Sequence, residues 1–265
     1  NGAGAARGHG AHRLARAGAC GGGQLTRARL VVVASAKGSP GCSFVALGLA
    51  GRLAEAHLRT LLVDADAEGG SLAGSLDLLG GVASAPLGGL GPVTEAALAG
   101  ATVAAAAGLD CLDLNGSDQA LDGRQLAEIA RLRYPAIVAD IGHAPGRLQR
   151  ELVAAADWLI WVVAPDRSGF ERADRALAGE ALPRMNAGIV LNRLGPDRLP
   201  DAGAVLAERH RLPLLARLPE CSRAARVAAR RFAGPQHARE FRRQFAELAR
   251  CVHPDVLGGG GERWP

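Results

Sequence analysis

Seven residues, Lys37-Gly38-Ser39-Pro40-Gly41-Cys42-Ser43, follow the apolar run LVVVASA and precede FVALGLAGRLAEA. Glycines let a backbone wrap so tightly that successive N–H groups, and the N-terminus of the next helix, point at one anion. The anion such a loop fits is a phosphate. Ser43 opens the helix, with Phe44 behind it, and its hydroxyl can serve Mg²⁺. Turns after strands are commonly glycine-rich, so the loop alone is a weak signal; strand, glycine loop, hydroxyl and helix in this order are a stronger one. Lys37 adds to it, because it is the only lysine in the chain and every other cationic side chain of that class is arginine. A compact ammonium on a flexible stem does what a planar guanidinium does not. A lysine surviving by chance could stand at any basic position, and this one stands in the loop.

Other polar residues end apolar runs in the same way. LLVDADAEGG carries Asp64 and Asp66, IVADIG carries Asp140, IVLNR ends on Asn192 and Arg193, and LARLPE holds Pro219. Each alone also has an ordinary reading as a strand-end or turn residue. Together they sit where strands deliver ligand contacts, at the carboxyl edge of a sheet.

Such a sheet is what the rest of the chain predicts. With 265 residues, 48% apolar but only 3% aromatic, the core must be built from Ala, Leu and Val, which suits a helix-covered parallel sheet in one large domain. Strands are expected at Leu30 to Ala36, Thr60 to Asp64, Leu109 to Leu114, Ala136 to Ile141, Trp158 to Ala164, Ala187 to Asn192 and Leu214 to Leu218. Helices are expected at 42–57, 122–132, 146–156, 168–181, 201–210, 221–233 and 236–252, while 66–108 is Gly-rich and resists assignment. The predicted fold is α/β, a doubly wound, mostly parallel sheet with helices on both faces. Residues 1–28, rich in Gly, Ala and Arg, are expected to form a flexible tail, 29–253 the nucleotide-binding domain, and 254–265 a second tail.

Five cysteines, at 20, 42, 111, 221 and 251, are odd in number and never form a CxxC pair, so neither a disulfide framework nor a zinc site is suggested. No apolar run reaches the roughly 18 residues of a membrane span. A cytoplasmic protein is expected, peripheral at the membrane or nucleoid if its basic surface is used. The net charge of +5 permits contact with nucleic acid or anionic lipid without requiring either.

These motifs, spanning roughly residues 30 to 235 in order, resemble the ParA/MinD family of deviant Walker A ATPases, whose loop runs KGGxGK[ST]. The resemblance implies ATP and Mg²⁺ as ligands and a nucleotide-dependent homodimer that positions a cargo: a replicon, a division site or a pilus machine. It gives Lys37 the phosphates of the nucleotide held by the partner subunit. Asp66 would orient the attacking water, with Asp64 beside it closing the strand, and Mg²⁺ would be held by Ser43, Asp64 and Asp140, the last through water. Asn192 and Arg193 would lie at the adenine, and Pro219 in the loop covering its other face. The chain departs from the family at Cys42, which replaces the second Walker lysine and cannot neutralise charge between the β- and γ-phosphates. Pro40, which lacks an N–H, falls at the family's variable position. An unusual loop is shared with the TadZ/CpaE branch, which places pili. Three other readings stay open: a nucleotide-binding scaffold without hydrolysis, a DNA-binding partner with a vestigial site, and an unrelated α/β kinase, against which the missing lysine counts. At the C-terminal end, SRAARVAARR is a basic helix, and Phe241, Phe245, Leu248 and Val252 form an apolar stripe. Arg-rich helices there could meet DNA or a membrane surface, although a helix packed on the sheet with solvated arginines is the better reading.

Overall fold

The computed structural model describes residues 27–38, 40–68, 72, 76, 87, 92–114, 121–143, 146–179, 186–195, 201–220 and 239–254. Eight strands form one sheet: β1 (Arg29–Ala34), β2 (Thr60–Asp64), β3 (Thr102–Ala106), β4 (Leu109–Asp113), β5 (Ala136–Asp140), β6 (Trp158–Val163), β7 (Asn186–Leu194) and β8 (Leu214–Pro219). Among the described residues the helices are α1 (Cys42–Glu55), α2 (Glu95–Ala101), α3 (Gly123–Arg133), α4 (Arg147–Ala155), α5 (Arg167–Gly179), α6 (Ala202–His210) and α7 (Arg242–Val252). The strand order is β3-β4-β2-β5-β1-β6-β7-β8. Every pairing is parallel except that of β3 with β4, a hairpin at one edge.

The central strands are apolar on both faces because both are covered. Val31 and Val33 of β1 point to one side with Val138 and Ile160, under α1 and α7. Leu30, Val32 and Ala34 point to the other with Ile137, Leu159 and Trp161, under α3 to α6. The stripe on α7 is consumed by this packing. Phe241, Phe245, Leu248 and Val252 are fully buried, and Phe44 of α1 meets the Phe241 ring edge-on at 5.1 Å. The helix is therefore the packed terminal element, and its apolar face is not available to lipid. Among the described residues no helix is long and apolar enough to cross a membrane.

Among the described residues, two elements lie in the stretch that resisted assignment. α2 is only seven residues long, capped by the Thr94 hydroxyl accepting the Ala97 N–H at 3.1 Å. β3 is the Ala-rich segment TVAAA, a half-exposed edge strand with none of the alternation or bulk that marks a strand in sequence. The expected helix at 221–233, the residues beyond 254 and those before 27 lie outside the described residues, and so does Ser39.

Candidate functional site

Register brings the polar strand ends together. In β2 and β5, Asp64 stands opposite Asp140, and β1 lies against the other edge of β5. Pairing runs on past the strand ends: the Ser35 N–H donates to the Gly142 carbonyl at 3.0 Å and the Ala65 N–H to the Asp140 carbonyl at 2.8 Å. The segments following β1, β2 and β5 are thereby stitched into one floor at the carboxyl edge of the sheet.

Gly41 sets the shape of the loop. Its φ of 98° is left-handed, and a side chain there would overlap the amide of Asn192. α1 starts at the next residue with no side-chain cap, so its first N–H groups are not satisfied by a capping side chain and present the positive end of the helix dipole. Asn192, buried at the end of β7, donates its amide Nδ2 to the Pro40 carbonyl at 2.7 Å. It acts here as a strut under the loop, a role that its strand-end position alone does not reveal.

Lys37 leans toward α5, its Nζ 3.6 Å from Asp166 Oδ1. That oxygen also accepts the Gly169 N–H at 2.7 Å, in the first turn of α5. Phe44 turns its ring into the core, leaving its backbone as what it can offer the site. Cys42 also points inward. It is 6% exposed, its Sγ is 3.9 Å from the Gly142 carbonyl, and its thiol is pushed up to about 12, by burial first and by the neighbouring Asp140 next. A thiol at a helix N-terminus is expected to be reactive; here burial outweighs the helix field and favours the neutral thiol.

The carboxylates differ. Asp64 Oδ2 accepts the Leu72 N–H at 3.1 Å, and its Oδ1 accepts the Asp66 N–H at 3.4 Å. Asp140 Oδ1 accepts the Gly142 N–H at 3.1 Å, whereas its Oδ2 is buried and has no hydrogen-bond partner among the described residues. Burial raises both carboxyls to about 6; near Asp140, the Ser43 hydroxyl and the Gly142 N–H work against the rise while Asp64 and Asp66 add to it. An orphaned carboxylate oxygen with a serine hydroxyl beside it and other negative charge close by suits a hard cation. Among the described residues no group of three His, Cys, Asp or Glu side chains could hold a metal by itself. That agrees with Mg²⁺ chemistry, in which one carboxylate, a hydroxyl, waters and a ligand's phosphates share the ion. Asp64 has its oxygens occupied by the backbone and is the weaker candidate ligand.

Asp66 is half-buried, with its carboxylate packed against Gly142, whose φ of 62° and lack of a side chain make room for it. Its Oδ1 accepts the Glu68 N–H at 3.1 Å. Arg193 is exposed with a left-handed φ of 66°, and Pro219 ends β8 beside Leu194, so the two share the far end of the site. A residue not singled out from sequence is His143, whose ring lies against Gly38 and whose Nε2 is 3.4 Å from Glu68 Oε1. The signal for it was its place three residues after Asp140.

The model of the CobQ/CobB/MinD/ParA nucleotide binding domain family matches residues 31–233. Among solved structures, the chain is similar to the septum site-determining protein MinD of Pyrococcus horikoshii in complex with Mg-ADP, at 19% identity over 89% of this chain and 100% of that one, with a TM-score of 0.68. It is similar to the MinC:MinD cell division complex of Aquifex aeolicus at 19% identity, over 90% and 98% of the two chains, with a TM-score of 0.66. A ParA family ATPase from Chlorobium tepidum matches at 19% identity, 87% and 99% coverage and a TM-score of 0.65. No curated protein matches the chain.

Proposed function

Because this chain belongs to the CobQ/CobB/MinD/ParA nucleotide binding domain family, we propose that it binds ATP with Mg²⁺ in the loop 37–44 and dimerises with nucleotide to position a cargo. The observation that carries this reading is the orphaned Oδ2 of Asp140 beside Ser43, facing a loop whose left-handed Gly41 opens onto the N-terminus of α1. Backbone N–H groups of the loop and of α1 bind the phosphates, Ser43 and Asp140 hold the ion, and the ion neutralises phosphate charge when bound. Asp66 orients water, and Asn192, Arg193 and Pro219 frame the base. Residues 29–253 form the functional domain, and the protein works in the cytoplasm or at a surface bordering it. The cargo is a replicon, a division site or, by likeness to the TadZ/CpaE branch, a pilus machine.

Lys37 is the residue on which dimerisation depends. Its side chain points toward α5 rather than into its own loop, and it is long enough to reach a phosphate across a two-fold axis once it leaves Asp166. Light scattering with ATP or a slowly hydrolysed analogue tests this on the natural chain and on Lys37→Ala and Lys37→Arg. A monomer without nucleotide, a dimer with it and no dimer in Lys37→Ala are expected; an ATP-dependent dimer that survives Lys37→Ala rejects the mechanism.

A second reading, a nucleotide-bound scaffold with little or no turnover, is favoured by Cys42. A buried neutral thiol supplies no charge at the β- and γ-phosphates, where the family places a lysine. Phosphate release from the natural chain, measured against Asp66→Ala, separates the two readings.

A further inference from the structure

On the sheet face opposite α1, helices α4 and α5 leave a cavity of about 950 Å³ between them. Its floor is Leu159 and Trp161 of β6, its walls include Val153 of α4 and Ala176 of α5, and Arg150, Arg172 and Arg175 stand around it. None of the described residues of the loop 37–44 lines it. Packed interiors seldom leave gaps much larger than a water molecule, whereas clefts of roughly 300–1,000 Å³ are the size of small-molecule sites. Short side chains on both helices keep this one open.

The lining is chemically divided. The floor is apolar and aromatic, and the indole N–H of Trp161, a residue 5% exposed, is buried with no hydrogen-bond partner. The surround is cationic. Among the described lining residues Glu171 is the one carboxylate, and it is held by Arg167 at 2.8 Å, so Arg172 and Arg175 on the same helix carry the positive charge of the rim. Guanidinium forks match phosphate and carboxylate oxygens in pairs, and an apolar floor selects a ligand with a flat or acyl body.

We propose that this cavity is a second binding site, separate from the loop, for a nucleotide-sized organic anion whose head group meets Arg172 and Arg175 and whose body lies over Leu159 and Trp161. Ser35, Gly142 and His143 form the wall shared with the nucleotide loop, so occupancy of one site is coupled to the other. Inorganic phosphate alone satisfies the rim and leaves the floor uncovered, and it is a poor ligand on this account.

The test uses the full chain with one equivalent of ATP and Mg²⁺ to fill the loop, and 8-anilinonaphthalene-1-sulfonate as an aromatic anion, followed by tryptophan-excited emission. One saturable site is expected, displaced by 4-nitrophenyl phosphate at concentrations where inorganic phosphate has no effect. Replacing Arg172 and Arg175 with Ala together should weaken binding at least tenfold, and Ala176→Trp, which fills the cavity, should abolish it. Arg124→Ala, on α3, should change nothing. The double arginine variant alters exposed positions and keeps the proposal testable if Ala176→Trp does not fold. Equal displacement by inorganic phosphate, or unchanged affinity in the double arginine variant, would each overturn the proposal. Calorimetry with ATP on the same preparations reports on the loop independently, so failure there rejects the nucleotide reading and leaves this test standing.

Discussion

Asp64 and Asp140 end neighbouring parallel strands in matched register, both fully buried and both with carboxyls raised to about 6, yet they do different work. Asp64 accepts two backbone N–H groups from the segment after β2, one of them eight residues away. Asp140 accepts one, and leaves its other oxygen unpartnered beside Ser43. Strand register decides where a carboxylate stands; the segment that follows decides whether its charge holds the chain together or is kept for a ligand. A buried charge without a partner is costly, which makes Asp140 the candidate to meet a cation.

The difference can be broken at Asp64 first. At pH 5, where both carboxyls are largely protonated, Asp64→Ala strips acceptors from two backbone N–H groups and gains nothing from removing a charge. The expected loss is on the order of 2–4 kcal/mol in urea denaturation. Asp140→Asn under the same conditions should be close to neutral, since its carbonyl still accepts the Gly142 N–H. Equal losses in the two variants would erase the distinction.

Raising the pH sharpens it. The folded-state pKa of Asp140 lies above the ordinary carboxyl value, so the stability it contributes is fully present below about 3.8 and is lost as pH rises through about 6. Asp140→Asn has no such loss. Its advantage over the natural chain should grow from near zero at pH 4 to roughly 2–3 kcal/mol at pH 7.5 without Mg²⁺ or nucleotide. Unfolding curves across that range check it, and a flat difference would mean that Asp140 is not the uncompensated charge.

Much of this was legible in the residues. Runs such as LVVVASA and WLIWVVA, apolar on both faces, predict buried parallel strands, and all seven expected strands are present with shifts of two residues or fewer at their ends. β3 was hidden because Ala-rich edge strands carry no periodic signal. At the candidate site, loop 37–44 and Asp140 stood out because glycine, lysine and carboxylate at strand ends each have a physical reading as ligand contacts. The roles of Asp64, Asn192 and Cys42 were not readable. Asn192 finds Pro40 across 152 residues of chain, and Cys42 turns inward because of the phase at which α1 begins. Contacts of that kind are fixed by packing, which local spacing does not encode.

The opposite wall of the site extends the comparison with a smaller effect. Asn192→Ala removes a buried hydrogen bond and leaves the Pro40 carbonyl without that donor, at a cost of about 1–2 kcal/mol. Because the bond braces the loop, nucleotide affinity should fall as well, which calorimetry reads. A loss of stability with unchanged affinity would make Asn192 a strut for the fold alone.

The smallest effect is expected at Cys42. With its thiol pushed up to about 12 by burial, it should resist iodoacetamide at pH 8 while exposed Cys251 is alkylated, as peptide mass spectrometry would show. Rapid labelling of Cys42 would mean that the loop opens far enough to expose its first helical turn.

The central claim is that the unpartnered oxygen of Asp140 serves Mg²⁺ for a nucleotide held by loop 37–44. Calorimetric titration of ATP, with Mg²⁺ and with chelator, into the natural chain and into Asp140→Asn tests it most directly. Mg²⁺ should tighten ATP binding at least tenfold in the natural chain and leave Asp140→Asn essentially unchanged. No ATP binding by the natural chain, or the same Mg²⁺ gain in the variant, would contradict the claim.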